Sequence, residues 1–93
     1  MIASFRDRDT ERLWQSGFSR GLPARLRRPA FKKLAILNAA VALENLKVPP
    51  GNRLELLKGD RAGQHSIRIN EQYRICFEWK NGNAYEVEIV DYH

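Results

Sequence analysis

The chain has 93 residues, of which 43% are hydrophobic, and carries a formal net charge of +5. This length predicts one domain over residues 1–93, because so short a chain can enclose only one modest hydrophobic core. The longest apolar run, residues 34–43, is interrupted by Asn38 and is too short to span a membrane. The first residues lack the basic-then-apolar order of a signal peptide, and the one cysteine, Cys76, cannot form an internal disulfide. We therefore expect a cytoplasmic protein that does not associate with membranes.

Positive charge is concentrated in the first half of the chain. No acidic residue occurs between Glu11 and Glu44. The same segment contains seven cations, which are Arg12, Arg20, Arg25, Arg27, Arg28, Lys32 and Lys33. A surface of one charge sign suits a polyanion, because each phosphate that is neutralised releases counterions. We favour contact with nucleic acid or the ribosome over the alternative of a solvated basic helix.

A first strand and two helices are predicted in the N-terminal half. Residues 2–5 alternate weakly, and Asp7 offers an N-cap for a short helix that ends at Gly17. A second helix is predicted from about Pro23, with apolar residues repeating every three or four positions. These residues are Leu26, Ala30, Leu34, Leu37 and Val41. Pro29 removes a backbone hydrogen bond, so we expect either a kink or a separate turn before the main helix.

The second half of the chain is predicted to form four strands. The segments are 53–57, 64–69, 72–79 and 85–90. Their alternation of apolar and polar residues has a period of two, and Asn81-Gly82 is a strong hairpin signal. The resulting order, β-α-α-β-β-β-β, predicts an α+β fold with two helices packed on one face of a mostly antiparallel sheet. Arg74 would lie on the other face and point outward.

Three motifs in this half resemble a known family. They are L-x-x-L-K-G-D-R-x-G at 54–63, S-I-R-I-N-x-Q-Y-R-I at 66–75 and V-D-Y-H at 90–93. In this order and spacing they closely resemble the HigB-type toxins of bacterial toxin–antitoxin pairs, members of the RelE superfamily of small endoribonucleases. The resemblance covers nearly the whole chain. It implies a RelE-like fold and a ribosome-dependent endoribonuclease that cleaves translated mRNA.

RNA cleavage of this kind requires few catalytic groups. The ribose 2′-hydroxyl attacks its own phosphate, and the protein must align the attack, move protons and stabilise the added negative charge. Arg74 matches the arginine that the family places against the scissile phosphate; the alternative is a surface ion pair with Glu78 or Glu86. Lys58 matches the family's L-K-G lysine and could serve as an electrostatic clamp or a general base. Its alternative is a solvated turn lysine.

The end of the chain and one departure from the family pattern complete the predicted catalytic set. Tyr92 could stack on an unpaired base, and His93 could transfer a proton near neutral pH, although terminal residues are often frayed. HigB proteins often have His-Pro where this chain has Glu55-Leu56, and that histidine is proposed to be catalytic. Three alternatives remain open: Glu55 transfers the proton, Lys58 and His93 do so, or the activity is weak.

Other cations are predicted to hold phosphates of mRNA or ribosomal RNA. They are Arg53, Arg61, Arg68, Arg27, Arg28 and Lys32. His65 is only a secondary candidate, because a single histidine on a strand is more often structural. His65 and His93 are far apart in sequence and no carboxylate spacing completes a metal site, so neither a metal nor another cofactor is predicted.

The resemblance also implies a partner. The inhibitor would be a HigA-like helix-turn-helix antitoxin, and operator DNA would be bound only through the toxin–antitoxin complex. Two alternatives to the nuclease are a non-catalytic module that binds RNA or the ribosome, and a protein that acts mainly as a corepressor.

Overall fold

A computed structural model describes residues 1–92 of the protein. Two helices precede a four-stranded antiparallel sheet in which strands adjacent in sequence are also adjacent in space. The elements are α1 (Arg8–Ser16), α2 (Ala24–Ala39), β1 (Glu55–Leu56), β2 (His65–Arg68), β3 (Tyr73–Lys80) and β4 (Asn83–Asp91). The predicted α+β fold, with two helices on one face of a mostly antiparallel sheet, is confirmed.

Residues 2–5, which were predicted as a strand, pair with β4 without forming a continuous one. Two isolated parallel bridges join Ile2 to Ala84 and Phe5 to Val87. Between them, Glu86 has a φ of 52° and donates its backbone N–H to Ser4 Oγ. The ladder is interrupted there because that N–H bonds to a side chain instead of to the neighbouring backbone.

Helix α1 begins and ends where the sequence predicts. The Asp7 carboxylate accepts a hydrogen bond from the backbone N–H of Thr10 at 3.0 Å, as an N-cap does. Gly17 has a φ of 78° and donates its N–H to the carbonyl of Leu13, a left-handed conformation that glycine adopts without a steric penalty. Leu13 is completely buried, so α1 is anchored to the core through this residue.

Helix α2 is continuous, with Pro29 inside it, so the predicted alternative of a separate turn is wrong. The missing N–H of proline costs this helix one hydrogen bond in its second turn. Leu26, Ala30, Leu34 and Leu37 are buried as predicted. Val41 is 81% exposed, which contradicts the prediction, because the helix ends at Ala39 and the helical period stops there. Within residues 1–92, neither helix has the length and apolar character needed to cross a membrane.

The main core lies between the helices and one face of the sheet. It contains Leu13, Leu26, Leu34, Leu37, Ile67, Ile75, Phe77 and Val87, among others. The alternation predicted for β3 is confirmed, because Ile75 and Phe77 point into this core. The alternation predicted for β4 fails at a bulge, where the pairing shifts between Cys76 and Glu78. Ala84 therefore joins Val87 in the core in place of Tyr85.

The strand predicted over residues 53–57 is shorter in the structure. Arg53 has a φ of 45°, which ends the extended backbone before β1. Leu54 packs against the core, but Leu56 is 64% exposed and Leu57 is buried outside the main core cluster. Alternation over residues 53–57 would place Leu54 and Leu56 on one face, but only Leu54 packs on the core, because β1 is a two-residue edge strand.

Candidate functional site

A cleft of about 270 Å³ opens on the sheet face that is turned away from the helices. It is lined by Arg53, Glu55, Arg68, Asn70, Glu71, Arg74 and Tyr92. Arg68 and Arg74 lie directly opposite each other on β2 and β3. The structure thus brings together five of the residues that were predicted for catalysis or RNA binding.

Arg74 is the residue that is most firmly fixed in this cleft. Its Nε donates to Ser66 Oγ at 2.7 Å, and its NH2 nitrogen donates to the carbonyls of Arg53 at 2.6 Å and Ser66 at 3.4 Å. The residue is only 8% exposed. The prediction that Arg74 points outward is therefore corrected: it lies on the predicted face, but neighbouring backbone and Ser66 cover most of it.

The remaining nitrogen of the guanidinium, NH1, makes no hydrogen bond within residues 1–92. A guanidinium has five N–H donors, two of them on NH1. Because Nε and NH2 are bound to the protein, the guanidinium is held in one orientation. The two N–H donors of NH1 remain available to a ligand.

Two side chains flank the guanidinium. Glu55 Oε1 is 3.9 Å from Arg74 NH2, and the Glu55 side chain is 54% exposed. The ring of Tyr92 lies on another side, with its centroid 5.7 Å from Arg74 Cζ. The ion pairs suggested for Arg74 with Glu78 or Glu86 are not among the ion pairs of residues 1–92. Glu55 occupies that place instead.

Tyr92 is held by the sheet although it follows the last residue of β4. Its backbone N–H donates to the carbonyl of Gln72 at 2.7 Å, and the adjacent Asp91 carboxylate accepts from Gln72 Nε2 at 3.0 Å. The Tyr92 side chain remains accessible, with the residue 46% exposed. His93 lies outside the described residues.

Three residues of the site were missed from the sequence. Ser66 alternates with Ile67 on β2 and so faces Arg74, a signal that the two-residue period contains. Asn70 and Glu71 form the β2–β3 connection and line the cleft. Asn70 Oδ1 accepts from the N–H groups of both Gln72 and Tyr73 at 2.8 Å, which fixes the turn. Because this turn joins the strands of Arg68 and Arg74, it had to border their face.

Lys58 and Arg61 do not line the cleft. Lys58 is exposed on the connection between β1 and β2. Arg61 NH1 donates to Glu88 Oε1 at 2.6 Å and to Gln64 Oε1 at 3.2 Å. The hydrogen bond that Arg61 donates to Glu88 raises the pKa of Arg61. The charge of Arg61 is therefore already compensated within the protein.

The predicted phosphate-binding cations of α2 differ in their surroundings. Arg28 and Lys32 are exposed, whereas Arg27 lies over the ring of Phe18, with Cζ 4.2 Å from the ring centroid. The Nε of Arg27 is buried and has no hydrogen-bond partner within residues 1–92. Arg27 thus has a packing role that Arg28 and Lys32 lack.

The basic helix begins close to the Arg74 cleft. A second cleft, of about 380 Å³, is lined by Arg25 of α2 together with Asn70, Glu71 and Gln72. Asn70 and Glu71 line both clefts, so the two clefts adjoin at the β2–β3 turn. The acid-free segment is therefore continuous with the candidate site around this turn.

His65 lies on the opposite face of the sheet from Arg74. Its ring stacks near Phe77 at a centroid distance of 6.2 Å and an interplanar angle of 22°. Nδ1 is buried without a partner in residues 1–92, and burial lowers the pKa of this histidine. His65 is thus separated from the cleft. Residues 1–92 also contain no group of three or more His, Cys, Asp or Glu side chains that could hold a metal ion.

The chain is similar to known proteins over nearly its whole length. Residues 3–93 match the family model described as the RelE-like toxin of the type II toxin–antitoxin system HigB. The chain is 41% identical over 85 residues to Toxin HigB-1 of Vibrio cholerae, covering 90% of both proteins. It is 33% identical over 93 residues to Endoribonuclease HigB of Proteus vulgaris, covering all of both.

Solved structures show the same fold at low sequence identity. The toxin–antitoxin complex YoeB–YefM from Staphylococcus aureus contains a chain that is 14% identical to this one, with a TM-score of 0.61. The match covers 100% of this chain and 98% of that one. The family match over residues 3–93, together with the relatives, shows that this chain belongs to the HigB family of RelE-like toxins of type II toxin–antitoxin systems.

Proposed function

We propose that this toxin is an endoribonuclease that cleaves translated mRNA on the ribosome, and that the Arg74 cleft is its active site. The observation that carries the proposal is the buried guanidinium of Arg74, oriented by Ser66 and the Arg53 carbonyl with NH1 left for a ligand. The relative from Proteus vulgaris, which is named an endoribonuclease, supports the same activity.

The reaction takes its nucleophile from the substrate. The ribose 2′-hydroxyl loses its proton and attacks the adjacent phosphorus, and the 5′-oxygen of the next nucleotide leaves and takes up a proton. The products are a 2′,3′-cyclic phosphate and a 5′-hydroxyl. In this scheme Arg74 donates to phosphate oxygens whose negative charge increases in the transition state. A guanidinium stays protonated, so Arg74 stabilises charge and does not transfer the proton.

The other residues of the cleft can hold the RNA strand on either side of the reacting phosphate. Arg53 and Arg68 line the cleft and can bind backbone phosphates. Tyr92 presents an accessible ring on which an unpaired base can stack. Stacking accepts any base, whereas the arginines determine the path of the backbone.

Three residues are candidates for proton transfer. Lys58 is exposed on a loop beside the sheet, from which its flexible side chain can act as a clamp or a base. His93 can exchange a proton near neutral pH. Glu55 is already within 3.9 Å of Arg74, so it can also accept a proton. These three residues are the candidates that kinetic experiments must separate.

The ribosome is proposed as the site of action because of the acid-free segment. Arg28 and Lys32 are exposed on α2, and Arg25 at the start of this helix borders the second cleft. Cations next to the active site would let ribosomal RNA hold the enzyme while mRNA occupies the cleft. The ribosome also places the proposed activity in the cytoplasm.

The partner proposed for this toxin is an antitoxin of the HigA type. The family description places HigB in type II toxin–antitoxin systems, and the S. aureus neighbours are toxin–antitoxin complexes. The proposed antitoxin is a helix-turn-helix protein, and operator DNA would be bound through the complex of the two proteins.

A non-catalytic protein that binds RNA or the ribosome is the second candidate function. Glu55 favours it, since its carboxylate lies 3.9 Å from Arg74 at the position where related toxins often have a histidine. A negative charge there opposes a phosphate in the cleft. A toxin of this kind would slow translation without cutting mRNA, alone or as a corepressor with its antitoxin.

Induced expression followed by mapping of 5′ ends of cellular mRNA tests the proposal. We expect new 5′ ends inside translated frames, and far fewer of them when Arg74 is replaced by lysine. The same cuts should appear on mRNA programmed on purified ribosomes and should be absent from the naked transcript. Intact mRNA with slowed translation would instead establish the non-catalytic function.

A further inference from the structure

Arg61 reaches across the sheet to a strand that is not its neighbour. It belongs to the connection between β1 and β2, and its NH1 donates to Glu88 of β4 at 2.6 Å. Strands β2 and β3 separate β1 from β4 in the sheet. The two side chains are 32% and 17% exposed, so the ion pair is partly shielded from water. This contact joins the β1–β2 connection directly to β4, although no backbone ladder runs between the two.

The loop that carries Arg61, residues 58–63, has few other attachments. Its backbone bonds close it on itself, from Ala62 N–H to Gly59 O at 3.1 Å and from Gln64 N–H to Arg61 O at 3.0 Å. Gly59 and Gly63 have φ values of 67° and 91° with open space around them. Among residues 1–92, Arg61 is the one side chain of this loop that makes a hydrogen bond or ion pair.

The ion pair attaches the loop of Lys58 to the sheet face that carries Arg74. Lys58 begins the loop, and its carbonyl accepts the backbone N–H of Arg61 at 3.4 Å. Glu88 precedes Tyr92 by four residues, and alternation along an extended chain places both side chains on the face of Arg74.

We propose that Arg61 and Glu88 act as a pair of positioning residues, which hold the loop of Lys58 against β4 on the sheet face that carries Arg74, so that the Lys58 side chain reaches RNA bound in the cleft. This inference rests on the proposed nuclease function. It replaces the prediction that Arg61 binds RNA phosphate. The guanidinium already has a carboxylate and the Gln64 amide oxygen as acceptors, and a phosphate would have to displace them.

A catalytic group that is not held in its correct position lowers the reaction rate strongly. Catalytic groups displaced by about 1 Å can lower a rate by about 10²-fold. The loop would keep its fold without the ion pair, because its own backbone bonds remain. Its position on the sheet face would not be fixed, so the maximal cleavage rate would fall while binding to the ribosome stayed the same.

The test measures single-turnover cleavage of mRNA on ribosomes, ribosome affinity and thermal unfolding for Arg61→Ala, Glu88→Gln and the double variant. Each single change should lower the maximal rate by about 10- to 100-fold, with no further loss in the double variant. Exchanging the two residues, Arg61→Glu with Glu88→Arg, should recover part of the rate. A third cleft, of about 380 Å³, is lined by Arg6 together with Arg61 and Glu88. Arg6→Ala is therefore the matched control, since it deletes one positive charge beside the pair.

The direction in which Glu88→Gln changes ribosome affinity separates the positioning role from RNA binding by Arg61. If Arg61 binds RNA, Glu88→Gln should raise ribosome affinity by releasing the arginine, and Arg61→Ala should lower it; that result overturns the inference. Unchanged rates in variants that are merely less stable overturn it as well. Hydrogen exchange at the Ala62 and Gln64 amides should be the same in Glu88→Gln as in the wild type, because the loop keeps its own backbone bonds. A wild-type protein that cuts no mRNA would disprove the nuclease function itself, whereas a cutting wild type with fully active Arg61 variants disproves only the positioning role.

Discussion

Ser66 and Arg74 form a hydrogen bond of 2.7 Å between Oγ and Nε at the base of the cleft, where Ser66 is fully buried. Because Nε and NH2 are both bound to the protein, the plane of the guanidinium is fixed and NH1 is directed away from these partners. A preorganised donor of this kind does not have to reorient as the reaction proceeds. The same bonds make Arg74 part of the structure of this face.

Replacing Arg74 should therefore affect both activity and stability. Arg74→Lys keeps the charge but loses the planar fork, and we expect cleavage to fall by about 10²- to 10³-fold. Arg74→Ala should also lower the free energy of unfolding by about 1–3 kcal/mol, because the Arg53 carbonyl and Ser66 lose their donor. Cleavage on ribosomes and urea unfolding measure the two effects. Arg8→Lys, at an exposed arginine of α1, is the control and should leave both measurements unchanged. A fully active Arg74→Lys variant would remove Arg74 from the mechanism.

Glu55 is expected to oppose RNA binding and not to serve as the base. Its carboxylate is 3.9 Å from Arg74 NH2 and is 54% exposed. Glu55→Gln removes the negative charge at nearly constant size, so cleavage should stay the same or rise by up to about fivefold, as for one exposed charge pair. Glu55→His, which restores the residue common in the family, should also raise activity. If both variants are inactive in the ribosome assay, Glu55 carries out the proton transfer.

The exposed cations of α2 are expected to bind ribosomal RNA. The double change Arg28→Glu, Lys32→Glu should weaken ribosome association and reduce the slope of log affinity against log salt by about 1.4, at about 0.7 per single-stranded phosphate contact. Arg27 is left unchanged because it packs over Phe18. Cosedimentation at several salt concentrations measures the slope. The pair Lys47→Glu and Lys80→Glu is the matched control, and equal losses in both pairs would indicate a general charge effect.

Tyr92 is expected to act through its ring. Tyr92→Ala should lower cleavage by about 10- to 100-fold, since stacking of one base on an aromatic ring contributes about 1–3 kcal/mol. Tyr92→Phe should keep most of the activity. Stability should change little, because the bond that holds residue 92 to Gln72 uses backbone atoms. Single-turnover rates compare the two variants, and an inactive Phe variant would show that the hydroxyl group takes part in the reaction.

His65 is expected to make stability depend on pH. Burial lowers its pKa below the ordinary value of about 6.5. The unfolded chain then binds more protons than the folded one, so the stability from neutral His65 is present above about pH 6.5 and is lost as the pH falls below it. The unfolding midpoint of the wild type should drop between about pH 7 and pH 5. His65→Gln should reduce this drop of the midpoint, whereas His93→Gln should not. If His65→Gln leaves the drop unchanged, another group titrates in this pH range.

The sequence by itself determined much of the local structure. The Asp7 cap, the Gly17 end of α1 and the Asn81-Gly82 hairpin depend on backbone preferences of single residues, and all three occur as predicted. Side-chain alternation also assigned Arg74 to the face opposite the helices. The family motifs indicated that Arg74, Glu55 and Tyr92 belong to one site, and the structure places them in one cleft.

The tertiary structure alone decided what covers each face and which charges meet. Burial of Arg74 depends on the Arg53 carbonyl, 21 residues away in sequence, and the compensation of Arg61 depends on Glu88, 27 residues away. The bulge at Glu86 moved Ala84 into the core in place of Tyr85. A period of two tells which residues of a strand share a face. It contains no information about register or about the loops that fold over that face, because both are determined by contacts between distant parts of the chain.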